Sequence, residues 1–426
     1  MIPLLVTIVT IFGLLGTPIF AVFAILALSL FVIADESIIA TTIEMLRLGT
    51  HPTLLAIPLF TFAGYLMAES KTPSRLLRLS QYLVGWLPGG IAIVSLAVCA
   101  VFTAFTGGSG VTIVALGGLL YPMLMKKGYS ENFTLGLISS SGAVGLLFPP
   151  SLAIILYGMI AGVNIDDLFL AGIIPGFVLI IVLALYSMYM GRNSKMVSSP
   201  EDDIQFSWSG LKESLWDCRF EIPIPFLVLI GIYGGFATAS ETSAIVAAYV
   251  LLMTCFFYRD LDWRRDLPQI TKDSMTLVGA ILLILACALG MVNYMISEEI
   301  PMKLVEFMRQ HIDSKITFLL LLNVFLLFVG MMLDIFTAII VIVPIIVPIA
   351  NEFGVHPVHL AIIFLTNLEI GYLTPPVGLN LFISSFRFNK PVTTIYKASI
   401  PFLILMLIAL ALLTYIPEIS LLWIDD

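Results

Sequence analysis

Two apolar stretches of this chain are broken by the same punctuation, 226 residues apart. Gly145-Leu146-Leu147-Phe148-Pro149-Pro150-Ser151 recurs as Gly371-Tyr372-Leu373-Thr374-Pro375-Pro376-Val377. The same offset relates Pro122 to Pro348 and Gly128 to Gly354. A Pro-Pro pair lacks two backbone donors and pushes its predecessor out of helical geometry. Inside hydrocarbon each unpaired backbone group costs several kcal/mol, so such breaks persist only where freed carbonyls meet protein, water or an ion. Matched broken helices in two halves are the pattern of a transporter built from internal repeats.

That the breaks lie in a membrane follows from composition. The chain is 60% hydrophobic and 11% charged, with apolar runs recurring along its 426 residues, long enough to span about 30 Å of lipid. Its first residues are apolar from Ile2, with neither a basic region nor an A-x-A cleavage site, and read as a membrane helix rather than a signal peptide. Cys99, Cys218, Cys255 and Cys287 show no C-x-x-C spacing and read as small hydrophobes. No basic stripe is present, so nucleic acid is not an expected partner; membrane lipid is.

Lys and Arg set the orientation. A multi-pass threading places every one on the cytoplasmic side except Arg47, Lys303, Arg309 and Lys315. In it, 2–15 runs inward, 17–33 outward and 53–69 inward. A hairpin at about 88–125 enters from the cytoplasm, the broken helix 131–161 crosses outward, and 168–191 returns. The polar stretch 192–220 is a cytoplasmic linker between a first repeat, 1–191, and a second, 221–426. The second half repeats the pattern upside down, with a hairpin at about 314–350 and a broken helix at 357–386. The fold class expected is thus an all-α integral membrane protein with two inverted-topology repeats. Residues 72–85 and 299–312 mix charge with large apolar side chains at helical spacing and read as interfacial helices.

Within each hairpin lies a segment poorly suited to a lipid-facing helix. Ala104 to Thr112 (AFTGGSGVT) packs three glycines and three hydroxyls into nine residues, which suits a turn halfway through the membrane. Its counterpart, Gly330 to Thr337 (GMMLDIFT), carries Asp334 deep in apolar sequence, a functional position by default. Hydroxyls, carbonyls and a single carboxylate are hard oxygen ligands suited to Na⁺. Half-helix N-termini favour an anionic substrate. The alternative for each small residue is close helix packing, Ser139-Ser140-Ser141 included. Glu241, in a short interhelical break, fits a hydrogen-bonded structural role as well as a buried functional one. Asn367 and Glu369 precede Gly371 and could line the ion site or meet a partner subunit. Asn380, four residues past Pro376, points its amide at the break. Arg387 reads as an end-of-helix charge or a substrate ligand.

At these residues the chain resembles the large membrane subunit (M subunit, DctM-like) of TRAP transporters, the tripartite ATP-independent periplasmic carriers. The resemblance spans essentially the whole chain and is most specific in Gly145–Gly158 and in Gly354–Ser384, which contains NLEIGYLTPPVGLNLF. It implies an elevator-type secondary transporter of the bacterial inner (cytoplasmic) membrane, a Na⁺ symporter for organic acids such as C4-dicarboxylates or sialic acid. It also implies two partners: a small four-helix membrane subunit (Q-type) and a periplasmic substrate-binding protein (P-type). By the same resemblance one Na⁺ site comprises Thr103, Thr106, Gly145, Phe148 and Pro150. The other comprises Gly330, Asp334, Thr337, Gly371, Thr374 and Pro376. Gly108, Ser109, Ser151, Asn380 and Arg387 are the substrate candidates, and no organic cofactor is expected. The chain departs from the common pattern at Glu369, where many members carry a small apolar residue.

Two other readings compete. Gly107-Gly108-Ser109-Gly110 matches the G-x-S-G pattern of intramembrane serine proteases, but its Ser needs a His within reach, and His51, His311, His356 and His359 fall in expected loops. The expectation is therefore no enzyme. A channel is disfavoured because matched midplane breaks suit alternating access.

Overall fold

The computed structural model describes residues 17–35, 37–50, 52–85, 87, 89–193, 207–312 and 314–424, with isolated positions before residue 13. The expected span 2–15 therefore lies mostly outside the described residues, as does 194–206 of the expected linker. Among the described residues the chain is helical and contains no strand. Among the described residues, seven helices are long and apolar enough to cross a membrane, and up to nine spans result if each bent pair counts as one.

In the first half, α1 (Ile19–Ile33) and α2 (Ile39–Leu48) precede α3 (Ala56–Glu69) and α4 (Thr72–Val84). The last two meet at a 73° bend, which turns the amphipathic α4 across the end of α3. Helices α5 (Gly90–Thr106) and α6 (Ser109–Lys126) are joined by two glycines only. Helix α7 (Glu131–Val144) ends in a single 3₁₀ turn at Gly145–Leu147, and α8 (Leu152–Ala161) resumes at a 45° angle. The long α9 (Ile165–Asn193) and α10 (Trp208–Asp217) follow. The 192–220 stretch is thus more than a tether: α10 docks on α4, with Gly210 against the Tyr82 ring.

The second half runs α11 (Pro223–Tyr233), α12 (Ala239–Leu252), a π-turn at Met253–Phe257, and α13 (Asp266–Ser297). Next come α14 (Ile300–His311), α15 (Lys315–Met332), α16 (Ile335–Glu352), α17 (Pro357–Gly371), α18 (Leu379–Phe388), α19 (Val392–Tyr415) and α20 (Glu418–Leu421). Helices α15–α18 reproduce the order of α5–α8, two helices about a tight turn and then a helix broken at Pro-Pro. Both Pro-Pro bonds are cis, and Gly128 and Gly354 both take positive φ after the second hairpin helix. The best-buried part of the molecule comprises α7, α8 and α17; every residue from Val358 to Gly371 is buried.

Ion pairs join groups that the charge pattern assigns to one membrane side. Arg75 of α4 reaches Glu221 and, at 2.6 Å, Asp260, and its guanidinium lies 3.8 Å over the Tyr258 ring. Burial pulls the Arg75 pKa down, but the bonds to Asp260 and Glu221 outweigh it and hold the guanidinium above its ordinary range. Lys390 meets Glu131, and Arg309 meets Glu352. Of the two readings of Glu241, the hydrogen-bonded structural one holds and the buried one does not. Glu241 is exposed and closes a capping box with Thr238 at the start of α12, a structural role.

Candidate functional site: two hairpin tips against two broken helices

The first tip turns at Gly107, whose φ of +66° needs glycine. A Cβ there would also lie 2.4 Å from Leu152, so the tip rests on the first turn of α8. Behind it sits a buried hydroxyl cluster. Thr103 Oγ1 lies 2.7 Å from Thr112 Oγ1 and 2.8 Å from the Gly142 carbonyl, and Thr106 Oγ1 is 3.4 Å from Thr112 Oγ1. Gly145 closes the cluster: a Cβ on it would come within 2.5 Å of Thr103 Cβ and 2.3 Å of the Ala100 carbonyl. Thr103, Thr106 and Gly145 are thus gathered together, with Pro150 just past the turn. Phe148 can join only through its backbone, because its ring turns away, edge-on to Phe177 at 5.3 Å and against Gly176. That ring borders an apolar cavity of about 300 Å³ between α5, α9 and α11.

At the second tip the backbones themselves meet. A Cβ on Gly371 would lie 2.5 Å from the Gly330 carbonyl carbon, so α15 and α17 touch main chain to main chain. Asp334 caps α16: its Oδ1 accepts from Phe336 N at 3.0 Å and Thr337 N at 3.1 Å, while Oδ2 accepts from the Thr337 hydroxyl. Tyr372, on the broken segment, accepts from Ile335 N. Gly378 N donates to Met331 O at 3.3 Å, the Thr374 hydroxyl donates to Ile370 O at 2.9 Å, and the Pro376 carbonyl accepts from Tyr396 at 2.8 Å. The break is open at Pro375–Val377, which are exposed, whereas the first is nearly closed. Both clusters offer hydroxyls and carbonyls, and the second adds one carboxylate; this donor chemistry fits Na⁺.

The two halves touch between these clusters. Ser109 donates to Asn380 Oδ1 at 2.7 Å, and Asn380 Nδ2 donates to the Ser139 carbonyl at 3.3 Å. Ser139 then donates to Ser384 Oγ at 2.7 Å. Ser109 and Asn380 are therefore joined as one polar seam, and Gly108, half-buried, sits at its edge. Ser151, also buried, has no partner for its hydroxyl among the described residues. Arg387 stands apart: exposed, its guanidinium against Gly118 of α6, two helical turns from Asn380. Thr112, Ser139 and Ser384 were not among the sequence candidates. Thr112 lies three residues from Ser109 and Ser384 four from Asn380, each on the same helix face as a candidate, which is the available signal; Ser139 stands at no such spacing from one.

Two further expectations are corrected. Glu369 is fully buried, so it cannot meet another subunit at the surface, and among the described residues neither carboxyl oxygen has a partner. Asn367 is likewise buried, bonded to Asn323 at 2.6 Å. The Ser109 hydroxyl is paired with Asn380, while His359 is bonded to Ser420 at 2.6 Å, so the protease arrangement is not formed there.

These features, many apolar helices with two hairpins seated on two broken helices, define a multi-pass membrane transporter. The family described as "Tripartite ATP-independent periplasmic transporter, DctM component" matches residues 5–419, and the chain belongs to it. It is 31% identical over 395 residues to the C4-dicarboxylate TRAP transporter large permease protein DctM of Pseudomonas aeruginosa, covering 93% of this chain and 91% of that one. It is 34% identical over 367 residues to the isethionate TRAP transporter permease protein DctMQ of Oleidesulfovibrio alaskensis, covering 86% and 57%. Other relatives are named for ectoine and for sialic acid. Among solved structures, the Alcanivorax borkumensis YdaH transporter superposes with a TM-score of 0.56 at 12% identity, over 90% of this chain and 88% of that one, a likeness of fold. The chain is a transporter component and not an enzyme.

Proposed function

We propose that this subunit carries an organic acid into the bacterial cytoplasm through the inner membrane, driven by Na⁺. One ion would be held by Thr103, Thr106, Gly145 and the Phe148 and Pro150 backbone. The other would be held by Gly330, Asp334, Thr337, Gly371, Thr374 and Pro376. The observation that carries this reading is the pairing of each hairpin tip with its own Pro-Pro break, which leaves carbonyls and hydroxyls facing inward where lipid could not satisfy them. The substrate is placed at the Gly108–Ser109–Asn380 seam between the pairs, near Ser151, with Arg387 two turns away as an approach charge. Two inward Na⁺ with a monoanion carry net positive charge, and each elementary charge gains about 2.3 kcal/mol per 100 mV.

Partners follow from the tripartite family: a periplasmic binding protein and a small four-helix membrane subunit. The relative named DctMQ is longer than this chain, which covers 57% of it, leaving room for a fused small subunit. The relatives' differing substrate names agree with selectivity residing largely in the binding protein. In the elevator mechanism proposed here, hairpins and broken helices move as one inverted-repeat body against the remaining helices. Uptake into liposomes with the cognate binding protein, varying Na⁺, potential and a panel of acids, tests this. Transport should require a Na⁺ gradient and rise with inside-negative potential. Uptake that ignores Na⁺ and follows a proton gradient would refute it.

A further inference from the structure

Helix α15 has one buried face and one exposed apolar face, the latter bearing Ile316, Leu320, Val324 and Phe328. Its inner contacts near the middle are leucines, Leu319, Leu322 and Leu326, and an apolar ladder of this kind resists sliding along the helix axis only weakly. One polar residue interrupts it. Asn323, 8% exposed, accepts from Asn367 Nδ2 at 2.6 Å and donates to Thr414 Oγ1 at 3.1 Å. The Thr414 carbonyl lies 3.2 Å from His359 Nε2, and His359 Nδ1 is 2.6 Å from Ser420 Oγ. A buried polar chain thus ties α15 to α17, α19 and α20.

We infer that Asn323 is the register pin of the second ion site, a positioning residue that holds the Gly330 and Gly371 backbones together. The inference rests on the Na⁺ reading above. Gly330 lies seven residues beyond Asn323 on α15, about 10.5 Å along the axis, and Gly371 lies four residues beyond Asn367. A slip of one residue moves α15 by about 1.5 Å. Such a slip parts Asn323 from Asn367 in a largely buried setting, and it also takes Gly330 off Gly371. A single buried Asn fixing register in a coiled coil, at some cost in stability, works by the same physics.

That cost separates positioning from simple structural support. Replacing both partners by apolar residues, Asn323→Leu with Asn367→Leu, removes the pin without orphaning either group on the other. Purified protein is melted across a Na⁺ series, and Na⁺-dependent uptake is measured in liposomes. The double variant should melt at or above the wild-type temperature without Na⁺. Its Na⁺ affinity, read from the Na⁺-dependent rise in melting temperature, should fall about fivefold or more. KM for the loaded binding protein at saturating Na⁺ should stay unchanged. Thr414→Val, which leaves the Asn323–Asn367 bond in place, should give a smaller shift and serves as the readout if the double variant does not fold. Wild-type Na⁺ affinity in either folded variant overturns the inference. A wild-type protein whose melting ignores Na⁺ overturns the Na⁺ reading itself, and the inference with it.

Discussion

The tightest contact in the second cluster gives the sharpest test. In Gly371→Ala the new Cβ would stand 2.5 Å from the Gly330 carbonyl carbon, 2.6 Å from its Cα and 2.9 Å from Met331 N. All three are main-chain atoms, so no side chain can swing aside. Ordinary carbon contacts begin near 3.5 Å, so α15 and the end of α17 must part by roughly 1 Å. Overpacking of this kind costs about 1–3 kcal/mol. If ligands from both segments must converge, that strain appears as an approximately 5- to 150-fold loss of Na⁺ affinity. Gly330→Ala is graded below it: its Cβ meets Leu368 Cα at 3.0 Å and Gly371 Cα at 3.2 Å, a few tenths of an ångström to give. A shift of about fivefold is expected there, near 1 kcal/mol. Gly279→Ala is the control, with nothing within 4 Å of the added methyl and a helix-propensity gain of up to about 1 kcal/mol. Na⁺-dependent thermal shift of purified protein, paired with Na⁺ titration of uptake, reads all three. Folded Gly371→Ala protein with wild-type Na⁺ affinity, or a milder effect than Gly330→Ala, would refute the reasoning.

Three further tests address charge. Asp334→Asn keeps an N-cap acceptor for Phe336 and Thr337 but removes the carboxylate, so melting temperature without Na⁺ should hold while Na⁺ dependence weakens at least tenfold; unchanged Na⁺ dependence would reduce Asp334 to a cap. Arg75→Met strands the Glu221 and Asp260 side chains, 1% and 5% exposed, at a cost of about 3–5 kcal/mol, and should lower the melting temperature in detergent sharply; an unchanged melting curve would show that this cluster bears no weight. Glu369→Met replaces a buried carboxyl that has no partner, relieving an unsatisfied-group penalty of about 1–3 kcal/mol, so stability should hold or rise; a marked fall would reveal a partner for the carboxyl.

Backbone chemistry is what the sequence displays most openly. The all-helical membrane class is legible in composition, and the breaks at Pro149-Pro150 and Pro375-Pro376 are legible because proline states its backbone consequence locally. The same holds for Gly107, where positive φ follows from the residue type. Side-chain destinations are less legible. Phe148 stands in a ligand motif, yet its ring leaves for the α9 side because Gly176 makes room, a fact held 28 residues away. Glu241 reads as either a hydrogen-bonded or a buried acid, and its capping box with Thr238, three residues earlier, is what decides for an exposed cap. Ser384 carries no local signal of pairing with Ser139, 245 residues before it; only the packing of α18 on α7 brings them together.

The unequal construction of the two clusters bears on how ions and substrate could act in concert. In the first, the hydroxyls of Thr103, Thr106 and Thr112 are fully buried and neutral, and they satisfy one another. In the second, Asp334 brings a half-buried carboxylate beside a break exposed at Pro375–Val377. Taking the proposed Na⁺ sites as given, an ion at the second meets an opposite charge, whereas one at the first brings uncompensated positive charge into the interior. The Ser109–Asn380 seam adjoins that first cluster, and an anion there at about 8 Å, with an effective dielectric near 20, would recover about 2 kcal/mol. The first ion and the substrate should therefore bind cooperatively, each improving the other's affinity by the same factor. The second ion, already neutralised, should be nearly indifferent to substrate. Substrate should then lower the Na⁺ concentration for half-saturation in wild type and in Asp334→Asn alike. Loss of that shift in Asp334→Asn would move the coupling to the second cluster.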